Sequence, residues 1–176
     1  MSSAPAPSRL LRGQAILADP LVRELLAVRL VAVLATLDAD GSVHAVPMWV
    51  SGDDGEIVLA TAAGSRKTAN LSRDDRATLV LHDSRPGLEV CGVTLCGRTE
   101  IVRGAEARPL IARVHRRYVG EAGLALPAVE AFLGSDDVAL RFHSDRAVTW
   151  DERTSAAAHA LRATGAALPL EPTTPR

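Results

Sequence analysis

Gly64-Ser65-Arg66-Lys67 lies between an apolar run and a segment with helical spacing, and its residue types suit an anionic ligand. The preceding run, Ile57-Val58-Leu59-Ala60, reads as a buried strand. Ser65 is placed to cap the following helix, which continues through Ala69 and Leu71, by accepting a backbone N–H bond. Arg66 and Lys67 then fall in the first helical turn. Cations are unfavourable there, because a helix N-terminus carries about half a positive charge, and each costs about 0.3–1 kcal/mol unless something offsets it. A bound phosphate offsets it, and the free N–H groups of a helix start favour the same ligand. The competing reading is a solvated basic turn.

Other chemistry is thinly represented. His44 and His82 lie on or at the end of strands near this stretch, and their pKa suits proton transfer, which makes them the candidate catalytic residues. A lone strand histidine is more often structural. His115 sits among Arg113, Arg116 and Arg117 and reads as solvated, while His143 and His159 show no partner. G-x-S-x-G is absent. The acidic pairs Asp53-Asp54, Asp74-Asp75 and Asp136-Asp137 occur in turn-like contexts where carboxylates are ordinary. No metal-ligand spacing occurs. Cys91 and Cys96 lie on opposite faces of one expected strand and read as small core residues.

The elements that position these residues are mostly strands. Leu30–Leu37 is a β-branched and apolar run ending at Asp38-Ala39-Asp40-Gly41, a hairpin signal. The chain returns through Val43–Val50, with Pro47 marking an edge, bulge or kink. A turn at Gly52–Gly55 leads to a third strand, Glu56–Thr61, so the three form an antiparallel meander and no Rossmann unit. Arg76–His82, Leu88–Val102 and Val138–Phe142 supply three more strands, and Arg146–Trp150 is a continuation or hairpin partner of the last. Gly92 and Gly97 suggest bending of the fifth strand. Helices are expected from Asp19-Pro20 through Leu26, over Gly104–Val119, around Val129–Leu133 and near Ala156–Leu161, with a weaker one through Leu10, Leu11 and Ile16. Six strands interrupted by a helical insertion predict a mainly β fold, a small closed antiparallel barrel with peripheral helices; a sandwich is the alternative.

At 176 residues, one domain is expected, with residues 1–8 disordered, a core domain over 9–152 and a partly helical or disordered tail over 153–176. The net charge of −1 argues against nonspecific nucleic-acid binding and a membrane-surface role. Aromatics make up only 3%, so the core is built from Leu, Val, Ala and Ile. No run has the length of a membrane span and no secretory signal is evident, so a cytoplasmic location is expected.

In order along the chain, the Leu30–Leu37 strand, Asp38-x-Asp40-Gly41, Val46-Pro47-Met48-Trp49, Leu59-Ala60-Thr61, Ser65-Arg66-Lys67-x-x-Asn70-Leu71, Asp74-x-Arg76-Ala77 and Gly97-Arg98-Thr99-Glu100-Ile101 resemble the pyridoxamine 5'-phosphate oxidase-like, FMN-binding split-barrel family. The branch they resemble is that of the flavin/deazaflavin oxidoreductases that use coenzyme F420. The resemblance implies a homodimeric, six-stranded split β-barrel with two cofactor sites at the dimer interface. It implies that Ser65, Arg66 and Lys67 hold the cofactor phosphate, that Ala60 and Thr61 line the ring and ribityl chain, and that Val46, Pro47 and Met48 present backbone to the ring edge. Asn70 belongs to the same motif, and Trp49, alternating away from Met48, is packing support. The implied activity is hydride transfer from reduced deazaflavin to an activated C=C or C=N bond of a small organic substrate. FMN in place of F420, and a non-catalytic flavin- or haem-binding protein, are the alternatives. Extra cations near the site favour the longer, polyanionic deazaflavin, and Arg73, Arg76, Arg85 and Arg98 are the candidates.

Overall fold

A computed structural model describes residues 8–85, 88–133 and 136–168, so the expectations for residues 1–7 and for the tail beyond 168 lie outside the described residues. The β-branched, alternating runs form β2 (Val31–Leu37), β3 (Val43–Ser51), β4 (Ile57–Ala62), β5 (Arg76–Ser84), β6 (Val90–Val102) and β7 (Asp137–Asp151). They pair in the order β7-β4-β3-β2-β5-β6, and β6 pairs back with β7 to close a six-stranded antiparallel barrel. The barrel reading holds and the sandwich does not. Arg146–Trp150 proves to be the continuation of β7.

One edge of β7 serves two partners. Residues 137–142 pair with β4, and residues 146–149 pair with β1 (Arg9–Arg12). Leu10 and Leu11, expected in a weak helix, are therefore in a strand. The reason is tertiary: β7 runs beyond the end of β4, and its unpaired backbone edge takes up the N-terminal segment. Only Ile16 of the expected helix is helical, in the single turn α1 (Ala15–Ala18).

Alternation on the strands sends Leu34, Leu59, Leu79, Leu81, Val93, Leu95 and Leu140 into the barrel, all fully buried. Each such side chain contributes about 1.5–3 kcal/mol by leaving water. Helix α2 (Pro20–Ala27) adds Leu21, Val22, Leu25 and Leu26 to the same core. Its start is the expected cap: Asp19 accepts from the Leu21 and Val22 amides at 3.0 and 3.3 Å, and Pro20 needs no acceptor. Helix α3 (Arg66–Arg73) contributes Leu71. A second cluster lies outside the barrel, where α4 (Gly104–Tyr118) sets Ala107 and Val114 against Val58, Val102 and Ala139. Short helices α5 (Glu121–Leu124) and α6 (Pro127–Leu133) follow α4, and α7 (Ala156–Thr164) follows β7, tied to Glu89 by Arg162 at 2.7 Å.

The two glycines of β6 serve close approach more than bending. Trp150 lies over Gly92, where a Cβ would collide with the indole. A Cβ at Gly97 would collide with the His143 carbonyl, at the point where the β6–β7 register shifts. Cys91 is buried as expected, but Cys96 is half-exposed on the outer wall, which corrects its reading as a core residue.

Candidate functional site

The barrel opens at one seam. β3 and β4 pair only at Val50 with Leu59 and at Ser51 with Val58, although both strands run further. From that point the two strands separate, so the backbone edge of Val46–Met48 has no β4 partner. Pro47, which lacks an amide donor, sits exposed on this free edge, where a missing N–H is tolerated. Met48 faces the core, 7% exposed, and Val46 is half-buried. Trp49 alternates outward as expected and stacks on Tyr118, with centroids 5.0 Å apart and planes 2° from parallel. The Tyr118 hydroxyl donates to the Leu30 carbonyl at 2.5 Å and lies 3.2 Å from the Val50 amide that donates to it. This anchors the start of β2 and the last paired part of β3 to α4.

Across the seam, β4 ends at Ala60-Thr61-Ala62 and leads directly to α3. Ser65 is the cap: its Oγ accepts from the Thr68 amide at 3.4 Å and lies 2.9 Å from Thr68 Oγ1. Thr61 Oγ1 lies 3.4 Å from Ser65 Oγ, and Thr68 Oγ1 donates to the Ala62 carbonyl at 3.0 Å. Two buried threonines thus fix the helix start to the end of β4. The amides of Arg66 and Lys67 have no acceptor within the helix. The Lys67 side chain is half-buried and, among the described residues, makes no hydrogen bond or ion pair. Burial pushes its pKa down, opposed only by the charge of Asp137. A half-buried ammonium of this kind, beside free amides, fits an anion.

Arg66 and Asn70 are turned elsewhere. The Arg66 guanidinium grips Asp38 with two bonds, at 2.8 and 2.5 Å. Asn70 Nδ2 donates to Asp38 at 2.9 Å and to Thr36 at 3.1 Å. Arg66 first and Asn70 second hold the Asp38 carboxyl down to about 2. These two side chains join α3 to the β2–β3 hairpin, while Ala60 and Thr61 carry β4 past its last pairing with β3, and Ser65 and Lys67 begin α3 just beyond it. Of the four extra cations, Arg73 donates to the Leu37 carbonyl, Arg85 pairs with Asp83, and Arg76 and Arg98 line a groove on the outer wall.

The histidines are redistributed. His82 is exposed and bonded to Ser84 at 3.0 Å, on a strand not adjoining the seam. His44 is half-buried on β3 opposite Thr36. His115, expected in solvent, is only 12% exposed at its side chain. Its Nε2 lies 3.7 Å from Asp137, and its ring meets Trp49 edge-on at 6.3 Å. Burial lowers the His115 pKa and raises that of Asp137, and each opposes the other's shift. The signal was present in the sequence: His115 stands four residues after Ile111 on the buried stripe of α4, masked by the arginines around it. His115 and Asp137 line a cavity of about 600 Å³ bounded also by Arg108, Ile111, Leu124 and Glu130. His143 lies 3.8 Å from Glu100, and His159 Nδ1 is 3.0 Å from the Ser155 carbonyl, so neither lacks a partner. Among the described residues no cluster of His, Cys, Asp or Glu suits a metal ion, and no helix is long and apolar enough to cross a membrane.

The sequence matches the pyridoxamine 5'-phosphate oxidase family over residues 18–151. No curated protein matches the chain. Among solved structures, a conserved hypothetical protein from Mycobacterium tuberculosis is 28% identical, with 94% of each chain covered and a TM-score of 0.63. A heme binding protein from Mycobacterium smegmatis is 25% identical over 71% of this chain and half of that one, with a TM-score of 0.55. A structure described as an F420 reductase shares the fold, at 20% identity over 71% of this chain and 94% of that one, with a TM-score of 0.55. The family match spans the whole barrel from α2 to the end of β7, including the seam, and the chain belongs to the pyridoxamine 5'-phosphate oxidase-like family of split barrels.

Proposed function

We propose that this protein is an F420-dependent oxidoreductase acting on an activated C=C or C=N bond of a small organic substrate. The observation that carries the reading is the half-buried Lys67 beside free amides at the start of α3, which follows the part of β4 that runs past its pairing with β3. Lys67, Ser65 and the backbone N–H groups of Arg66 and Lys67 hold the cofactor phosphate. The Arg66 and Asn70 side chains act at one remove, by fixing α3 on Asp38. Ala60 and Thr61 border the ring and ribityl chain, and the Val46–Met48 backbone meets the ring edge. When bound, the reduced deazaflavin supplies hydride to the substrate. Val31, 49% exposed on the outer face of β2, with Pro47 exposed on neighbouring β3, supports the pairing of two copies over this face, with a cofactor site at each end of the interface.

Two other readings use the same seat. FMN carries a phosphate at the equivalent distance along its ribityl chain, so Ser65 and Lys67 serve it equally. Binding of flavin or haem without turnover is favoured by the likeness to a heme binding protein. Fluorescence titration of the purified protein with F420 and with FMN separates these readings. Micromolar affinity for F420, with oxidation of the reduced cofactor by an enone or imine, is the expected result. Binding of FMN alone would refute the deazaflavin assignment, and binding of F420 without turnover of any acceptor would favour sequestration.

A further inference from the structure

A groove of about 660 Å³ runs across the outer wall of the barrel and is lined by Arg12, Arg76, Arg98 and Arg146. Four strands supply them: β1, β5, β6 and β7 in that order. The register places them as two cross-strand pairs, Arg76 directly opposite Arg98 and Arg12 directly opposite Arg146. Like charges directly opposite one another on neighbouring strands are destabilising. The first pair is relieved within the chain, because Arg76 bonds Asp74 at 2.6 Å and Arg98 bonds Asp75 at 2.5 Å. The second is not. Among the described residues neither Arg12 nor Arg146 has a carboxylate partner, and Arg146 has only the weak acceptor Cys96 Sγ, at 3.6 Å. Asp145 lines the same groove but pairs with neither arginine.

From this uncompensated pair we propose that the groove binds an oligoanion, a flexible molecule carrying several phosphate or carboxylate groups. One group would sit between Arg12 and Arg146. Others would reach Arg98 and Arg76, which retain donors after pairing, since a guanidinium has five N–H groups. The volume exceeds what a single phosphate needs and lies in the range of whole-ligand sites. Ala35, Leu37 and Val43 offer apolar contact to the uncharged body of the ligand. The seat at Lys67 is a different place, built from the end of β4 and the start of α3, so the groove stands or falls independently of the proposed activity.

Inorganic tripolyphosphate is the probe, titrated calorimetrically into the full-length protein at low salt. Micromolar binding that weakens as salt rises is expected. The Arg12→Gln/Arg146→Gln double variant should bind at least about tenfold more weakly, in line with loss of charge-assisted hydrogen bonds. Its unliganded melting temperature should not fall, because the double substitution removes a like-charge pair, and Lys67→Ala should leave tripolyphosphate affinity unchanged. No binding, equal affinity in the double variant, or loss of affinity in Lys67→Ala would overturn the proposal. Competition then identifies the source of the anion. Displacement by F420 and not by FMN assigns the groove to a polyanionic cofactor tail. Displacement by neither assigns it to a separate oligoanion, and both results support the groove. Displacement by FMN would merge it with the Lys67 seat and refute it as a distinct site.

Discussion

Replacing Lys67 by alanine should weaken ligand binding without weakening the fold. The ammonium is half-buried, its pKa is pushed down by burial, and only the more distant charge of Asp137 opposes that. Against a bound phosphate at contact distance, a unit charge pair at an effective dielectric near 20 gains about 4 kcal/mol at 4 Å. Partial exposure and side-chain ordering reduce this to the usual about 1.5–3 kcal/mol of a charged hydrogen bond, which is about 10- to 150-fold in Kd. In the unliganded protein the substitution removes a desolvated charge and installs the best helix former, so stability should hold or rise slightly. A thermal-shift assay reads both effects. With F420 at about 100 times the wild-type Kd, ligand stabilisation is about 2.7 kcal/mol, and a 50-fold loss of affinity cuts it to about 0.7 kcal/mol. An undiminished ligand shift would refute the phosphate role. A large fall in the unliganded melting temperature would show Lys67 to be structural instead.

Three further outcomes follow from the same geometry. Ser65→Ala removes the cap that links α3 to β4 and should cost about 0.5–2 kcal/mol by urea denaturation, with Ser65→Asn recovering most of it. Asp38 has its carboxyl held down to about 2 by Arg66 and Asn70. Its contribution is therefore full above about 4 and is lost as pH falls toward about 2, and Asp38→Asn should flatten that limb of an acid-unfolding curve. The His115 pKa is lowered by burial, with Asp137 opposing. The unfolded chain thus binds the proton more readily, so stability rises as pH climbs toward about 6.5. His115→Gln should flatten that rise, and an NMR titration midpoint at or above 6.5 in the wild type would contradict it.

Strand positions were legible because the alternation is local: Leu34, Leu79, Leu81, Val93 and Leu95 declare their inward face from spacing alone. The cap at Ser65 and the Asp19-Pro20 start were legible for the same reason, since each depends on the next three residues. What stayed hidden depends on partners far along the chain. Arg66 looks like a phosphate ligand until Asp38, 28 residues earlier, takes its guanidinium. Leu10 and Leu11 look helical until the free edge of β7 pairs with them. His115 looks solvated beside three arginines, yet on α4 it lies against Trp49 of β3 and Asp137 of β7. Cys96 faces outward because the barrel has an accessible outer wall there, which strand alternation alone does not distinguish from a second buried face.

The division of β4 between its neighbours has a consequence for the order in which the protein is made. β4 meets β3 at two registered positions but meets β7 along its whole length, from Ile57 to Ala62. Among the described strands, β7 is the last in chain order. Until it emerges, β4 and β6 each present a bare edge, and the base on which Thr61 and Thr68 hold the start of α3 is unsupported. The nascent chain is then a half-closed sheet with the proposed anion seat unformed, and its bare strand edges are open to wrong pairing. Closure of the barrel therefore rests on a single fifteen-residue strand, and the proposed anion seat is complete only when β7 enters the gap between β4 and β6.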